Sequence, residues 1–222
     1  MLKELFSPID GAIFDMDGTL LDSMDAWRRA PVQYMKEQGL LASAEDELDL
    51  LASSFSQQAA YFQAVCGGTA EERDLLTGSF PVMEQFYRNE VEEKPGADRF
   101  LACLRERGVA LYVASATPGS LVRLGLERVG LLEYFSDILS AWDMKTTKRR
   151  PDIFLEAQHR MGLPAAGRIW VFEDALYSIC TAKQAGFRVA AVEDPSALEE
   201  REEIRAAADL WIPSYEKLLT QE

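Results

Sequence analysis

Histidine is almost absent. His159 is the only one in 222 residues, so mechanisms that need a histidine base have one candidate, and it lies in a helical stretch far along the chain, where a surface or helix-packing role suits it. Cysteine is scarce too: Cys66, Cys103 and Cys180 are scattered without metal-type spacing, which excludes a disulfide framework or a cysteine zinc site and leaves reduced thiols and a cytoplasmic location as the expectation. No apolar run approaches the ~18 residues of a membrane span, and the opening MLKELFSPID lacks a secretory hydrophobic region. Positive charge is in short supply, with 23 Lys and Arg against 37 Asp and Glu, a net charge of -14 and a pI near 4.6. This argues against nucleic acid or an anionic membrane as partner, and any anionic substrate must meet a local basic cluster. The 48% of hydrophobic residues can fill the core of one large domain or of a core domain with an insert. The acidic surface is compatible with a monomer.

The residues present alternate in a readable way. Short apolar runs at Ala12–Phe14, Val109–Ala114, Ile138–Ala141, Ile169–Phe172 and Val189–Val192 are separated by amphipathic stretches at Gly96–Arg107, Ser120–Val129, Asp152–Met161 and Ala175–Ala185. That order predicts an α/β fold with a parallel sheet and helices on both faces. From about Met24 to Glu93 no strand candidate occurs, only helical patterns at Ala26–Gln38, Ala44–Ala52, Gln57–Val65 and Phe80–Glu92. An all-helical insert over 23–93 is expected, with the core formed by 1–22 and 94–222. Placed after the first strand, such an insert would lie over the carboxyl ends of the strands, where open α/β sheets bind ligands.

Chemistry concentrates at the strand ends. AIFDMDGTLLDS closes the first apolar run on Asp15 and Asp17, followed by Gly18 and Thr19. A carboxylate there can be a nucleophile, a metal ligand or both, and Thr19 can offer a hydroxyl to an anion, while helix capping is the plain alternative. LYVASATPGS ends on Ser115, Ala116 and Thr117 with Pro118 suited to a helix start, an arrangement of hydroxyls and free amides that fits phosphate. KTTKRRPDIF gathers Lys145, Lys148, Arg149 and Arg150 in an otherwise acidic chain, so that Arg149 or Arg150 could contact a second anionic group of a substrate. IWVFEDA ends on Glu173 and Asp174. Carboxylates from two strand ends then reach one edge, which suits a hard cation such as Mg2+.

Taken in order, Asp15-Met16-Asp17-Gly18-Thr19, Ser115-Ala116, Lys148 ahead of Pro151-Asp152, and Glu173-Asp174 resemble the haloacid dehalogenase superfamily, in particular its β-phosphoglucomutase-like phosphatase branch. The resemblance covers essentially the whole chain. It implies a Rossmann-like core and makes the helical insert a cap domain. It further implies a Mg2+-dependent phosphatase acting on a small phosphate monoester, a sugar phosphate or similar metabolite. Asp15 would form an aspartyl-phosphate, and Asp17 would serve as acid and base while its carbonyl binds metal. Asp174, with Glu173 as a further or indirect ligand, would complete the Mg2+ site with Asp15. Ser115, the Ala116 amide and Lys148 would hold the phosphoryl oxygens. The alternative is a sugar-phosphate mutase. The mutase carries a catalytic histidine in the first cap helix where this chain has Trp27, and the phosphonoacetaldehyde hydrolases carry a cap lysine for which only Lys36 is available. Within the cap, Trp27, Arg28, Phe55, Gln57, Gln58 and Tyr61 are positions for substrate contact, with core packing or a solvated charge as the plain alternative for each.

Overall fold

The first strand, β1 (Gly11–Phe14), has Ala12, Ile13 and Phe14 fully shielded from solvent, as a strand covered on both faces must be. The structure is a computed structural model and describes residues 7–220. Residues 1–6, on which part of the expectation of no secretory leader rests, lie outside the described residues.

After β1 the chain makes a tight turn and a short strand β2 (Leu21–Asp22), then four helices: α1 (Met24–Glu37), α2 (Ala44–Leu51), α3 (Phe55–Val65) and α4 (Glu72–Asn89). It continues through β3 (Glu92–Glu93), α5 (Ala97–Glu106), β4 (Ala110–Ser115), α6 (Gly119–Arg128) and β5 (Asp137–Ser140). Next come α7 (Asp152–Met161), β6 (Ile169–Glu173), α8 (Leu176–Gln184), β7 (Arg188–Val192), α9 (Arg201–Ala207), β8 (Leu210–Ile212) and α10 (Tyr215–Thr220). The described residues form two compact units, one of those up to Asp22 together with those from Val91, the other Ser23–Glu90.

The first unit is built on a six-stranded sheet in the order β5-β4-β1-β6-β7-β8, and every neighbouring pair is parallel. One face packs Ile13, Val171 and Val189 against Ile153 and Phe154 of α7 and Ile179 of α8. On the other, Phe14 stacks on Phe172 at 4.3 Å and 7°, while Phe100 of α5 meets both Phe172 and Tyr215 of α10. Aromatic pairs of this kind add about 0.5–1.5 kcal/mol each beyond their buried area. Helices therefore cover both faces. Strand order reverses at β1, whose neighbours are β4 on one side and β6 on the other, so the ligand crevice of such a sheet opens at the carboxyl ends of β1 and β6.

The second unit is all-helical, with its own core of Val32, Met35, Leu50, Ala59, Phe62 and Leu75. Its fourth helix differs from the expected Phe80–Glu92: α4 begins at Glu72 and continues through Pro81 to Asn89. Gly78, within this longer helix, has a packing reason, since a Cβ there would lie 2.3 Å from the Tyr34 ring of α1. Likewise Glu92 and Glu93, inside the stretch expected to lack strands, pair antiparallel with Leu21 and Asp22 in a short ribbon. Two-residue strands leave no periodicity to detect.

Candidate active site

Asp15 is the first residue beyond β1, and its amide continues the ladder by donating to the Phe172 carbonyl at 2.9 Å. The turn that follows needs Gly18, whose φ of 80° is left-handed and whose amide donates to the Leu21 carbonyl at 3.0 Å. This turn buries Thr19, and its Oγ1 donates to Asp174 Oδ1 at 2.9 Å. The anion that Thr19 serves is thus a carboxylate of the protein. Tyr215 anchors the same turn by donating from its hydroxyl to the Thr19 carbonyl at 3.2 Å.

Asp15, Glu173 and Asp174 form one buried group in which a carboxylate oxygen from each lies within 4.8 Å of the others. Lys148 enters it from the segment ahead of α7, its Nζ 2.8 Å from Asp15 Oδ1 and 2.5 Å from Glu173 Oε1. Glu173 Oε2 accepts from the amides of Asp174 and Ala175, both at 2.9 Å. Both oxygens of Glu173 are therefore committed, one to the lysine and one to the backbone, and its work is to hold Lys148 in place. Asp15 and Asp174 remain as the carboxylates suited to a cation.

The electrostatics follow from burial. Desolvation pushes the Asp15 carboxyl up to about 7; Lys148 opposes this, and Glu173 and Asp17 add to it. Asp174 is raised well above the carboxylate range by burial first, then by Glu173 and Asp15, with the Thr19 hydrogen bond acting in the opposite sense. Burial alone would lower Lys148, but Asp15 and Glu173 outweigh it and hold the ammonium above its ordinary value. Three carboxylates against one ammonium leave a surplus of negative charge in a shielded place. An all-oxygen donor set with that surplus fits a hard divalent cation such as Mg2+.

Asp17 stands apart from the carboxylate group. Its Oδ2 accepts from Thr117 Oγ1 at 2.7 Å. The Thr117 amide in turn donates to Ser115 Oγ at 3.1 Å, and its carbonyl accepts from Ser140 Oγ at 2.8 Å. Of the residues expected from the sequence, Asp15, Glu173 and Asp174 are gathered in one group with Lys148 paired to the first two, and Asp17 and Ser115 are joined through Thr117. Ala116 is exposed between Ser115 and Thr117.

Three participants carried no usable sequence signal. Thr117 reads as a helix cap, and its partner is 100 positions away. Lys94, nearly buried, places its Nζ 2.6 Å from Asp194 Oδ2 and donates to the Glu193 carbonyl at 2.8 Å, fixing the end of the β3 ribbon to the end of β7. Tyr177, in the first turn of α8, feels the charges of Glu173, Lys148, Asp15 and Asp174, so it stands beside the cluster.

Other expected residues sit elsewhere. His159 is exposed on α7, and Lys36 pairs with Glu47 at 2.8 Å. Trp27 Nε1 donates to the Tyr87 hydroxyl at 2.9 Å. Gln58 is buried and donates to the carbonyls of Arg28 and Leu50 at 3.0 and 2.9 Å. Gln57 belongs to a capping box with Ser54, Tyr61 donates to the Leu40 carbonyl at 3.4 Å, and Arg28 pairs with Asp25 at 2.5 Å. Phe55 packs, partly buried, against the helical unit's core. Among the described residues, no helix is long and apolar enough to cross a membrane.

A family model described as haloacid dehalogenase-like hydrolase matches residues 12–192. Protein SUPPRESSOR OF QUENCHING 1, chloroplastic, of Arabidopsis thaliana is 29% identical over 197 residues, which is 83% of this chain and 18% of that much longer protein. Hexitol phosphatase B of Escherichia coli (strain K12) is 27% identical over 194 residues, 84% of each chain. Among solved structures, CbbY from Rhodobacter sphaeroides in complex with phosphate has the same fold, with a TM-score of 0.74 at 23% identity over 95% of this chain and 96% of that one. With the match spanning the strand ends that carry Asp15, Ser115, Lys148 and Glu173-Asp174, the chain belongs to the haloacid dehalogenase-like hydrolases.

Proposed function

We propose that the chain hydrolyses a small phosphate monoester, a sugar phosphate or similar metabolite, through an aspartyl-phosphate on Asp15 in a Mg2+-dependent reaction. The observation that carries this reading is the position of Asp15: a buried carboxylate at the reversal point of a parallel sheet, with the Lys148 ammonium at 2.8 Å and a second carboxylate, Asp17, one residue beyond its neighbour. An Asp15 oxygen attacks phosphorus while the bond from phosphorus to the substrate oxygen breaks, and Asp17 gives its proton to the departing alcohol. Asp17, now ionised, takes a proton from water. The water oxygen attacks phosphorus, phosphate leaves, and the Asp15 carboxylate is restored. Lys148, the Ser115 hydroxyl and the Ala116 amide bind the phosphoryl oxygens, and Thr117 orients Asp17. Asp15 and Asp174, with the Asp17 carbonyl, would hold Mg2+, which supplies charge neutralisation and alignment of the phosphoryl group.

The unit of the residues up to Asp22 and from Val91 serves as the catalytic core, and the helical unit Ser23–Glu90, three residues shorter than the expected 23–93, as a cap that selects the substrate. Relatives named as phosphatases, such as Hexitol phosphatase B of Escherichia coli and Fructose-1-phosphate phosphatase YqaB of Escherichia coli, support the substrate class. Trp27, where the mutases place a histidine, is bonded to Tyr87, which favours hydrolysis over mutase chemistry. Phosphate release from sugar phosphates and an aryl phosphate, with and without Mg2+, tests this. Wild type is expected to turn over only with Mg2+, and Asp15→Asn to lose at least about a thousandfold in kcat/KM. Interconversion of sugar phosphates without phosphate release would establish the mutase instead.

A further inference from the structure

The basic segment ahead of α7 does not use its charges alike. Lys148 is buried against Asp15 and Glu173, and Arg150 is paired with Asp152 at 2.8 Å. Arg149 differs from both: it is exposed, and its guanidinium carbon lies 4.5 Å from the centroid of the Tyr177 ring. Among the described residues no carboxylate is within ion-pair distance of it. The Tyr177 phenol stands beside the carboxylate cluster. Although 38% of the residue remains open to solvent, desolvation first and the Glu173 charge second push its hydroxyl up to about 12, with Lys148 opposing. A guanidinium held by an aromatic ring keeps edge N–H groups available in a fixed plane, and that fork matches a carboxylate or a phosphate in two-point contact. A lone cation of this kind, next in sequence to the lysine of the phosphoryl site and set in a chain of net charge -14, is therefore unspent.

We infer that Arg149, steadied on Tyr177, is a specificity-determining residue that binds a second oxyanion on the substrate, a carboxylate or a non-transferring phosphate close to the phosphoryl group that is removed. Lys148 and Arg149 are consecutive, so the two anionic ends of the substrate are separated by a short carbon spacer. The favoured substrates are compact phosphorylated acids or bisphosphates. This rests on the phosphatase reading for the identity of the transferred group, and the test is arranged so that the two can fail separately.

The experiment pairs esters of matched skeleton: a phosphorylated hydroxy acid with the corresponding phosphorylated alcohol, and a sugar bisphosphate with its monophosphate. KM and kcat are measured for wild type, Arg149→Met, which keeps a stem on the ring without charge, and Arg149→Lys. Binding of the same esters to Asp15→Asn and to the Asp15→Asn, Arg149→Met double variant is measured by calorimetry. For whichever pair carries the natural second anion, Arg149→Met is expected to raise KM, and the double variant Kd, roughly tenfold for the doubly anionic ester, the effect of one charge-assisted contact. The singly anionic partner and kcat stay within about twofold, and Arg149→Lys recovers part of the loss. The pair that responds, acid or bisphosphate, names the second group. Equal changes for both members of each pair, or no change in any, overturn the role of Arg149. If no ester is hydrolysed but the binding discrimination is present, the phosphatase reading falls while the Arg149 assignment stands.

Discussion

Thr117 joins three pieces of the site with three atoms. Its hydroxyl donates to Asp17, its amide to Ser115, and its carbonyl accepts from Ser140. In the proposed reaction Asp17 gives a proton and then takes one, which works only when the carboxylate is aimed, so removing the hydroxyl is expected to act on turnover rather than on binding. Thr117→Val should lower kcat about tenfold or more with KM within about twofold, and Thr117→Ser should restore most of it. Matching losses in kcat and thermal stability with no rescue by Ser would make Thr117 structural only. At this scale the legible residues were those whose type is costly to place in the interior without a reason. Asp15 and Asp17 after an apolar run stood out because buried charge demands a partner, whereas Lys148 stood out only through the resemblance, by its place ahead of Pro151-Asp152. Thr117 did not, because a hydroxyl at the start of a helix has an ordinary use and its true partner is distant in sequence.

Elements were legible where periodicity had room to repeat. The five predicted runs appear as β1, β4, β5, β6 and β7, whereas β2, β3 and β8 are two or three residues long and offer no alternation to detect. Helix α4 begins at Glu72 rather than at the expected Phe80, although Gly78 and Pro81 both weaken helix propensity, and at Gly78 the close approach of Tyr34 leaves no room for a side chain. Gly96, at the start of α5, combines two demands that the sequence alone presents as one turn. Its φ is 85°, and an added Cβ would lie 2.9 Å from the Glu216 backbone nitrogen in α10. Gly108 has a φ of 74° and nothing within 4 Å of the same position. Gly108→Ala should therefore cost only the left-handed penalty of about 1–2 kcal/mol, while Gly96→Ala should cost clearly more, since backbone cannot step aside. Denaturant unfolding of the two variants checks this, and equal costs would show that α10 yields easily at that point.

At the scale of the whole molecule, the parallel sheet could be read from the alternation of elements, but the order of its strands could not. That order depends on which side of β1 each connection takes, and it is what brings Asp15, from near the start of the chain, against Glu173 and Asp174. The arrangement gathers negative charge where water is excluded, in a chain already strongly acidic, and Lys148 offsets only part of it. Stability of the core unit should then respond to a divalent cation. At a concentration a hundred times its Kd, a ligand bound only by the folded state adds about 2.7 kcal/mol. For a unit of this size that corresponds to a rise of roughly 5–10 °C in the core transition. Asp174→Asn keeps the oxygen that accepts from Thr19 but removes one of the crowded charges. Without Mg2+ this variant should melt no lower than wild type, and with Mg2+ it should lose most of the upward shift. Scanning calorimetry of both proteins in EDTA and in saturating Mg2+ decides the matter: equal shifts would place the cation away from Asp174, and no shift in wild type would mean that the surplus charge is met by substrate and protein alone.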